Sequence, residues 1–175
     1  MRSQKYKKLV DIIVFTMLGV IMLLSKLLME ALPNWHLLGT LVTAYTVVYR
    51  KDALKPIYIF VLLSGLVYGF GIWWIPYLYI WTVLWGMVML LPKNMEPKVA
   101  VPVYMVVSGL HGLLYGTLYA PAQALLFGLD FNGMLAWIVA GLSFDIMHCV
   151  GNVVLGILII PIIKALKKFH KYEKN

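Results

Sequence analysis

Apolar residues in this chain run in long unbroken blocks, and polar residues gather between the blocks instead of alternating within them. Blocks near the length of a bilayer crossing predict membrane-spanning helices. The first covers about 9–32, after a basic start at Arg2, Lys5, Lys7 and Lys8. It is too long for the apolar region of a cleavable leader and no small-x-small site closes it, so a retained helix is expected. Pro33-Asn34 signals a turn. A short block, about 35–49, follows and ends in the charged loop of Arg50, Lys51, Asp52 and Lys55. Positions 56–92 then carry no charge at all. One helix of that length would extend roughly 55 Å, against a hydrocarbon core of about 30 Å. The segment must fold back, and Gly69, Gly71 and Pro76 mark the place, which gives blocks of about 56–73 and 76–91. A loop over 93–98, flanked by Pro92 and containing Pro97, leads to a fifth block, about 99–127. A turn over 128–133 precedes the sixth, about 134–163, and a basic tail over 164–175 ends the chain. The expected fold is a single all-α integral membrane domain, 1–175, with six transmembrane helices.

Composition agrees. Hydrophobic residues make up 62% of the 175 positions and charged residues 13%, where a soluble domain runs near half and a quarter. Soluble and disordered classes are both excluded. The net charge of +8 does not point to nucleic acid, because the basic residues sit at the chain ends and in short loops. With six crossings, 14 of the 15 basic residues fall on one side, at Arg2, Lys5, Lys7, Lys8, Arg50, Lys51, Lys55, Lys93, Lys98, Lys164, Lys167, Lys168, Lys171 and Lys174. The positive-inside rule then places both termini in the cytoplasm of a bacterial cell membrane. The tail is a topology determinant within reach of anionic lipid headgroups. One cysteine, Cys149, allows no intrachain disulfide. No G-x-x-x-x-G-K-[ST] loop occurs, so an energised process requires a separate motor subunit.

Ionisable groups inside a membrane are costly and mark function or buried networks. Lys26 and Glu30 lie at i, i+4 in the outer half of the first block, where one face lets them pair. Asp145, His148 and Asn152 lie at i, i+3 and i+7 in the sixth, also on one face. Asp145 falls near the midplane, where an ionised carboxylate needs a partner; His148 or Asn152 can supply one. His111, at similar depth in the fifth block, faces either His148 or Asp145. Two histidines and a carboxylate admit a metal or haem iron, but their spacing matches no metal motif and no metal is expected. Aromatics crowd the outer half at Trp35, Trp73, Trp74, Tyr77, Tyr79, Trp81, Tyr115, Tyr119, Phe131 and Trp137. They form an interfacial belt or the walls of a pocket for a planar ligand, with His36 at its mouth. The scarcity of outward basic residues disfavours a polyanion. Gly109, Gly112, Gly116, Gly141, Gly151 and Gly156 permit close helix packing.

The run Trp137-Ile-Val-Ala-Gly-Leu-Ser-Phe-Asp-Ile-Met-His-Cys-Val-Gly-Asn before Pro161, and Pro33-Asn34-Trp35-His36-Leu37-Leu38-Gly39, resemble the substrate-binding S component of energy-coupling factor (ECF) vitamin transporters. Size, six spans and cytoplasmic termini are similar as well. The resemblance implies a non-enzymatic ABC-importer subunit that captures a micronutrient outside and docks on a membrane coupling subunit with two ATPases, the only users of ATP. It implies ligand binding toward the outer face, with Trp35, His36, Trp74, Tyr77, Trp81, His111, Tyr115, Tyr119, Trp137, Asp145 and His148 as site residues and Lys26, Glu30 and Asn152 as a supporting polar network. The family's first helix bears an Ala-x-x-x-Ala docking face; this chain offers Thr16, Gly19 and Leu23, so Thr16 and Gly19 are the expected coupling-subunit contacts. Aromatic walls fit flavins, pyridoxine, thiamine, folate, queuosine precursors or a tetrapyrrole such as haem. A ligand-free scaffold like the cell-shape family MreD shares the length and span plan. An intramembrane enzyme with Asp145 and His148 as acid and base lacks an accompanying nucleophile motif.

Overall fold

The computed structural model describes residues 4–32 and 34–174, with side chains as far as Phe169. Arg2, Pro33 and Asn175, and the side chains of Lys171 and Lys174, lie outside the described residues. Every described regular element is helical. Helix α1 covers Gln4–Leu28, α2 Leu38–Tyr49, α3 Leu54–Tyr68, α4 Tyr77–Met89, α5 Pro97–Leu113, α6 Tyr115–Phe127, α7 Phe131–Leu155 and α8 Ile159–Lys174. Short 3-10 turns over Arg50–Ala53, Ile72–Trp74 and Gly156–Leu158 join α2 to α3, lead into α4 and link α7 to α8.

Among the described residues four helical runs are long and apolar enough to cross a membrane: Gln4–Leu28, Ile72–Met89, Pro97–Phe127 and Phe131–Phe169. The chain is thus an all-α protein with membrane-spanning character. The expected second and third blocks form helices of only 12 and 15 residues. Helix α2 is short because it is not a lipid-facing element. All its residues from 38 to 46 are buried, against α4, α5 and α8, so its surroundings are protein.

Turn chemistry matches the sequence closely at several joints. Gly69 ends α3 at φ 84° and Gly128 ends α6 at φ 65°, in the region where a side chain is strained. The Asp130 side chain accepts from Gly133 N–H at 2.7 Å and caps α7. At the charged loop, Arg50 Nη2 donates to Met89 O at 2.9 Å and Trp85 Nε1 donates to Arg50 O at 3.0 Å. These bonds tie the α2–α3 turn to the end of α4.

Two long blocks are broken. The fifth divides at Leu114 into α5 and α6. In an unbroken helix Gly116 N–H would bond the carbonyl four residues back; here it donates to Asp145 Oδ1 at 2.9 Å. A side chain that takes over a backbone donor is an established cause of a helix break. The sixth divides at Gly156–Leu158, and its continuation α8 absorbs the basic tail into a helix. Ile159, Ile163 and Leu166 of α8 are buried, on the side that packs on α2.

Glycines set the closest approaches. A Cβ on Gly112 would stand 2.9 Å from His148 C and Cys149 N, and one on Gly109 would strike Val153, so α5 lies directly on the backbone of α7. On α1, a Cβ at Gly19 would stand 2.6 Å from Ile59 Cγ2 of α3. These are the contacts that small residues provide between membrane helices.

Candidate functional site

The buried face of α7 carries the polar residues, and each has found its own partner. Asp145 is 4% exposed, His148 5% and Asn152 2%. Asp145 Oδ1 takes the Gly116 N–H. Asn152 Nδ2 donates to Ser108 O at 3.0 Å, in a crossing where a Cβ on Gly39 would meet both Ser108 and Asn152. His148 Nε2 lies 2.8 Å from His36 Nε2. One ring donates and the other accepts, which requires the accepting ring to be neutral. The expected partnership of Asp145 with His148 or Asn152 is therefore replaced by three separate bonds, to α6, α5 and the α1–α2 loop.

That loop is laid over α7. A Cβ on Gly151 would stand 3.3 Å from Asn34 O and 3.5 Å from the Trp35 ring. Asn34 itself takes a left-handed backbone at φ 61°, a conformation asparagine tolerates better than most residues. His36 follows, reaches down to His148, and leaves its Nδ1 buried with no hydrogen-bond partner.

Below the loop, between α6 and α7, a cleft of about 510 Å³ opens. Tyr115 and Tyr119 of α6 and Trp137 and Phe144 of α7 wall it, and Asp145 and His148 lie at its polar end. Tyr119 and Trp137 stack at 5.8 Å between centroids with 15° between planes. The Tyr119 hydroxyl donates to Trp73 O at 3.0 Å and so holds the ring in place. Tyr115 packs on the His148 ring at 4.6 Å. Gly116, Ala140 and Gly141 fill little of the space, and a Cβ on Gly141 would meet nothing within 4 Å. A cleft with aromatic walls and few polar groups can hold a planar small molecule by burial and stacking.

Of the expected site residues, the structure gathers Tyr115, Tyr119, Trp137, Asp145 and His148 on this cleft, with His36 behind His148. It takes others elsewhere. Trp81 is 1% exposed and sits in the core among His36, Phe60, Tyr77, His111 and Tyr115. His111 does not reach Asp145 or His148; its Nε2–H donates to Ile80 O at 3.0 Å, since a carbonyl can only accept. Trp74 donates to Val61 O at 2.7 Å and stacks edge-on with Phe70, pinning the loop before α4 to α3. Trp35 rests on Gly151. Among the described residues no cluster of three or more His, Cys, Asp or Glu has metal-holding geometry. Asn34, Gly116, Ala140, Gly141 and Phe144 were missed as lining residues. Helical spacing through Trp137, Ala140, Gly141, Phe144, Asp145 and His148 was the signal that could have found those on α7.

Three supporting assignments change. Lys26 and Glu30 form no ion pair within 4.0 Å, and α1 ends at Leu28, before Glu30. The Lys26 ammonium turns instead onto aromatic rings, 4.3 Å from the Tyr68 centroid and 5.2 Å from those of Trp73 and Tyr77, with the Tyr77 hydroxyl at 3.5 Å. Such cation–π placement stabilises a partly buried ammonium. Tyr77 thus belongs to this cage and not to the cleft. Gly19 is buried against Ile59 and Pro56 and is not open to a partner. Thr16 is exposed, on a groove of about 600 Å³ between α1 and α3 that Phe15, Tyr58, Ile59 and Leu62 line and Lys8 and Lys55 flank.

No protein-family model matches the sequence, and neither a curated protein nor a solved structure matches it.

Proposed function

We propose that this chain is the membrane-embedded substrate-binding subunit of an ECF-type importer, holding a small planar micronutrient in the cleft between α6 and α7. The cleft carries the reading: aromatic walls, a nearly buried carboxylate and a loop laid over its polar end form a site that a purely structural bundle has no use for. On this reading the chain crosses the membrane six times, with α2 and α3 as the short second and third crossings and both termini in the cytoplasm. The basic residues between α2 and α3 and between α4 and α5, together with the basic ends, support that arrangement. The exposed groove at Thr16 is where the coupling subunit docks, with the ATPases behind it. The chain performs no chemistry itself.

The test is native mass spectrometry on gently purified protein, followed by thermal shift against a vitamin panel. A stoichiometric small molecule, or stabilisation by a panel member, is expected. An empty protein indifferent to the panel overturns the reading and leaves a scaffold, for which the Asn152–Ser108 and Asp145–Gly116 bonds would be purely architectural.

A further inference from the structure

We propose that the cleft selects an organic cation: a flat, positively charged nitrogen heteroaromatic that donates N–H to the Asp145 carboxylate. The inference rests on the ligand-binding reading above and fixes the charge and donor pattern of the ligand.

The first observation is an unbalanced carboxylate. Asp145 is 4% exposed and lines the cleft, and its protein partner is a single neutral donor, Gly116 N–H, on one oxygen. A carboxylate offers roughly four acceptor sites. Among the described residues the ion pair within 4.0 Å is Lys55–Asp52, near the opposite end of the bundle, and none reaches Asp145. Lys26, the one basic residue predicted for the outer half, is committed to the Tyr68, Trp73 and Tyr77 rings. His148, one turn on, directs Nε2 at His36 and lays its ring on Tyr115. Among the described residues no side chain supplies a counter-charge to this carboxylate, and a cationic ligand would supply one. A buried charge is tolerated when it is paired and hydrogen-bonded.

The second observation is the walls. Tyr115, Tyr119, Trp137 and Phe144 present aromatic rings to the cleft. Ring faces carry negative potential, attract cations and stack on planar groups. An anion would meet a carboxylate and π faces together. A neutral aromatic would be held by the walls but would leave Asp145 uncompensated. A planar cation answers both features. The open floor at Ala140 and Gly141 gives such a ring system a flat bed.

The experiment titrates detergent-purified protein at neutral pH with three probes of one outline: 4-aminoquinoline, which is cationic, quinoline, which is neutral, and quinoline-4-carboxylate. Tryptophan quenching reports binding. The cation is expected to bind at least about tenfold more tightly than the neutral probe, the scale of one charge-assisted hydrogen bond, and the anion most weakly. Asp145→Asn keeps an acceptor for Gly116 N–H, and it is expected to erase the cation's advantage while leaving quinoline unchanged. Should Asp145→Asn fail to fold, Gly141→Leu fills the cleft while leaving the Asp145 carboxylate and its Gly116 bond in the sequence, and it must abolish binding of the cation. Equal binding of the three probes, or preference for the anion, overturns the proposal. Native mass spectrometry separates the two layers of inference. A stoichiometric neutral or anionic molecule on the purified protein overturns the cation and keeps the binding subunit. An empty protein that binds no probe overturns both.

Discussion

Gly116 shows how much one residue carries here. Its N–H leaves the helix to bond Asp145, and its missing side chain makes room for the Asp145 carboxylate; an added Cβ would overlap that carboxylate directly. Gly116→Ala must therefore push α6 away from α7 or break the hydrogen bond. The expected result is a loss of about 1–3 kcal/mol, the cost of stranding a buried polar group, seen as a lower melting temperature and weaker ligand stabilisation. Gly86 on α4 is the control. A Cβ there meets nothing within 4 Å, and alanine is a better helix former by about 0.5–1 kcal/mol, so Gly86→Ala should leave melting unchanged or raise it. Equal losses at both positions would show that glycine content as such, and not the Asp145 contact, governs stability.

The break between α5 and α6 extends the same bond to the scale of elements. Two half-helices meet at Leu114 because a carboxylate from α7 competes for one backbone donor. Asp145→Ala removes the competitor; Asp145→Asn retains an acceptor. In the alanine variant the freed Gly116 N–H should return to the Gly112 carbonyl, so the Leu114 carbon-13 Cα chemical shift should move toward helical values, and it should move little in the asparagine variant. An unmoved shift in both would assign the break to Leu114 and its neighbours alone. This dependence explains what the sequence could and could not disclose. Loops at 50–53, 93–96 and 128–130 were legible, because charge, glycine and proline act locally. The helical face bearing Asp145, His148 and Asn152 was legible from spacing. The break at Leu114 was not, since its cause lies 29 residues away in α7. The partner of His148 was equally hidden, in a loop 112 residues distant. Lys26 and Glu30 misled because i, i+4 spacing says nothing of the Tyr68, Trp73 and Tyr77 rings that the Lys26 ammonium turns onto instead. Outer aromatics were visible as a group, but their division among the cleft, the Lys26 cage and the core needed tertiary structure.

At the scale of the molecule, the open question is what α2 and α3 do in the bilayer. Their 12 and 15 residues extend only about 18 and 22 Å at 1.5 Å per residue, less than a hydrocarbon core of about 30 Å. Either the pair crosses and returns, or it dips in and leaves on the side it entered. Both routes put the loops before α2 and after α3 on one face, so labels there decide nothing. The turn between them does decide, because it lies across the membrane in the first case alone. Helix α2 is enclosed by α4, α5 and α8, an enclosure that removes the need for lipid-matched length, and Arg50 and Trp85 fasten the turn to the end of α4. The turn should therefore lie where α4 ends, on the side that the proposed six-span arrangement makes cytoplasmic. In a Cys149→Ser background, which removes the one native cysteine, Ala31→Cys, Lys51→Cys, Asn94→Cys and Asn132→Cys place single thiols at exposed positions. A membrane-impermeant maleimide should label positions 31 and 132 on intact cells, and positions 51 and 94 only after permeabilisation. Position 51 labelling together with 31 while 94 stays protected would mean that α2 and α3 do not cross, and the count would fall to the four runs that are long enough to cross by themselves.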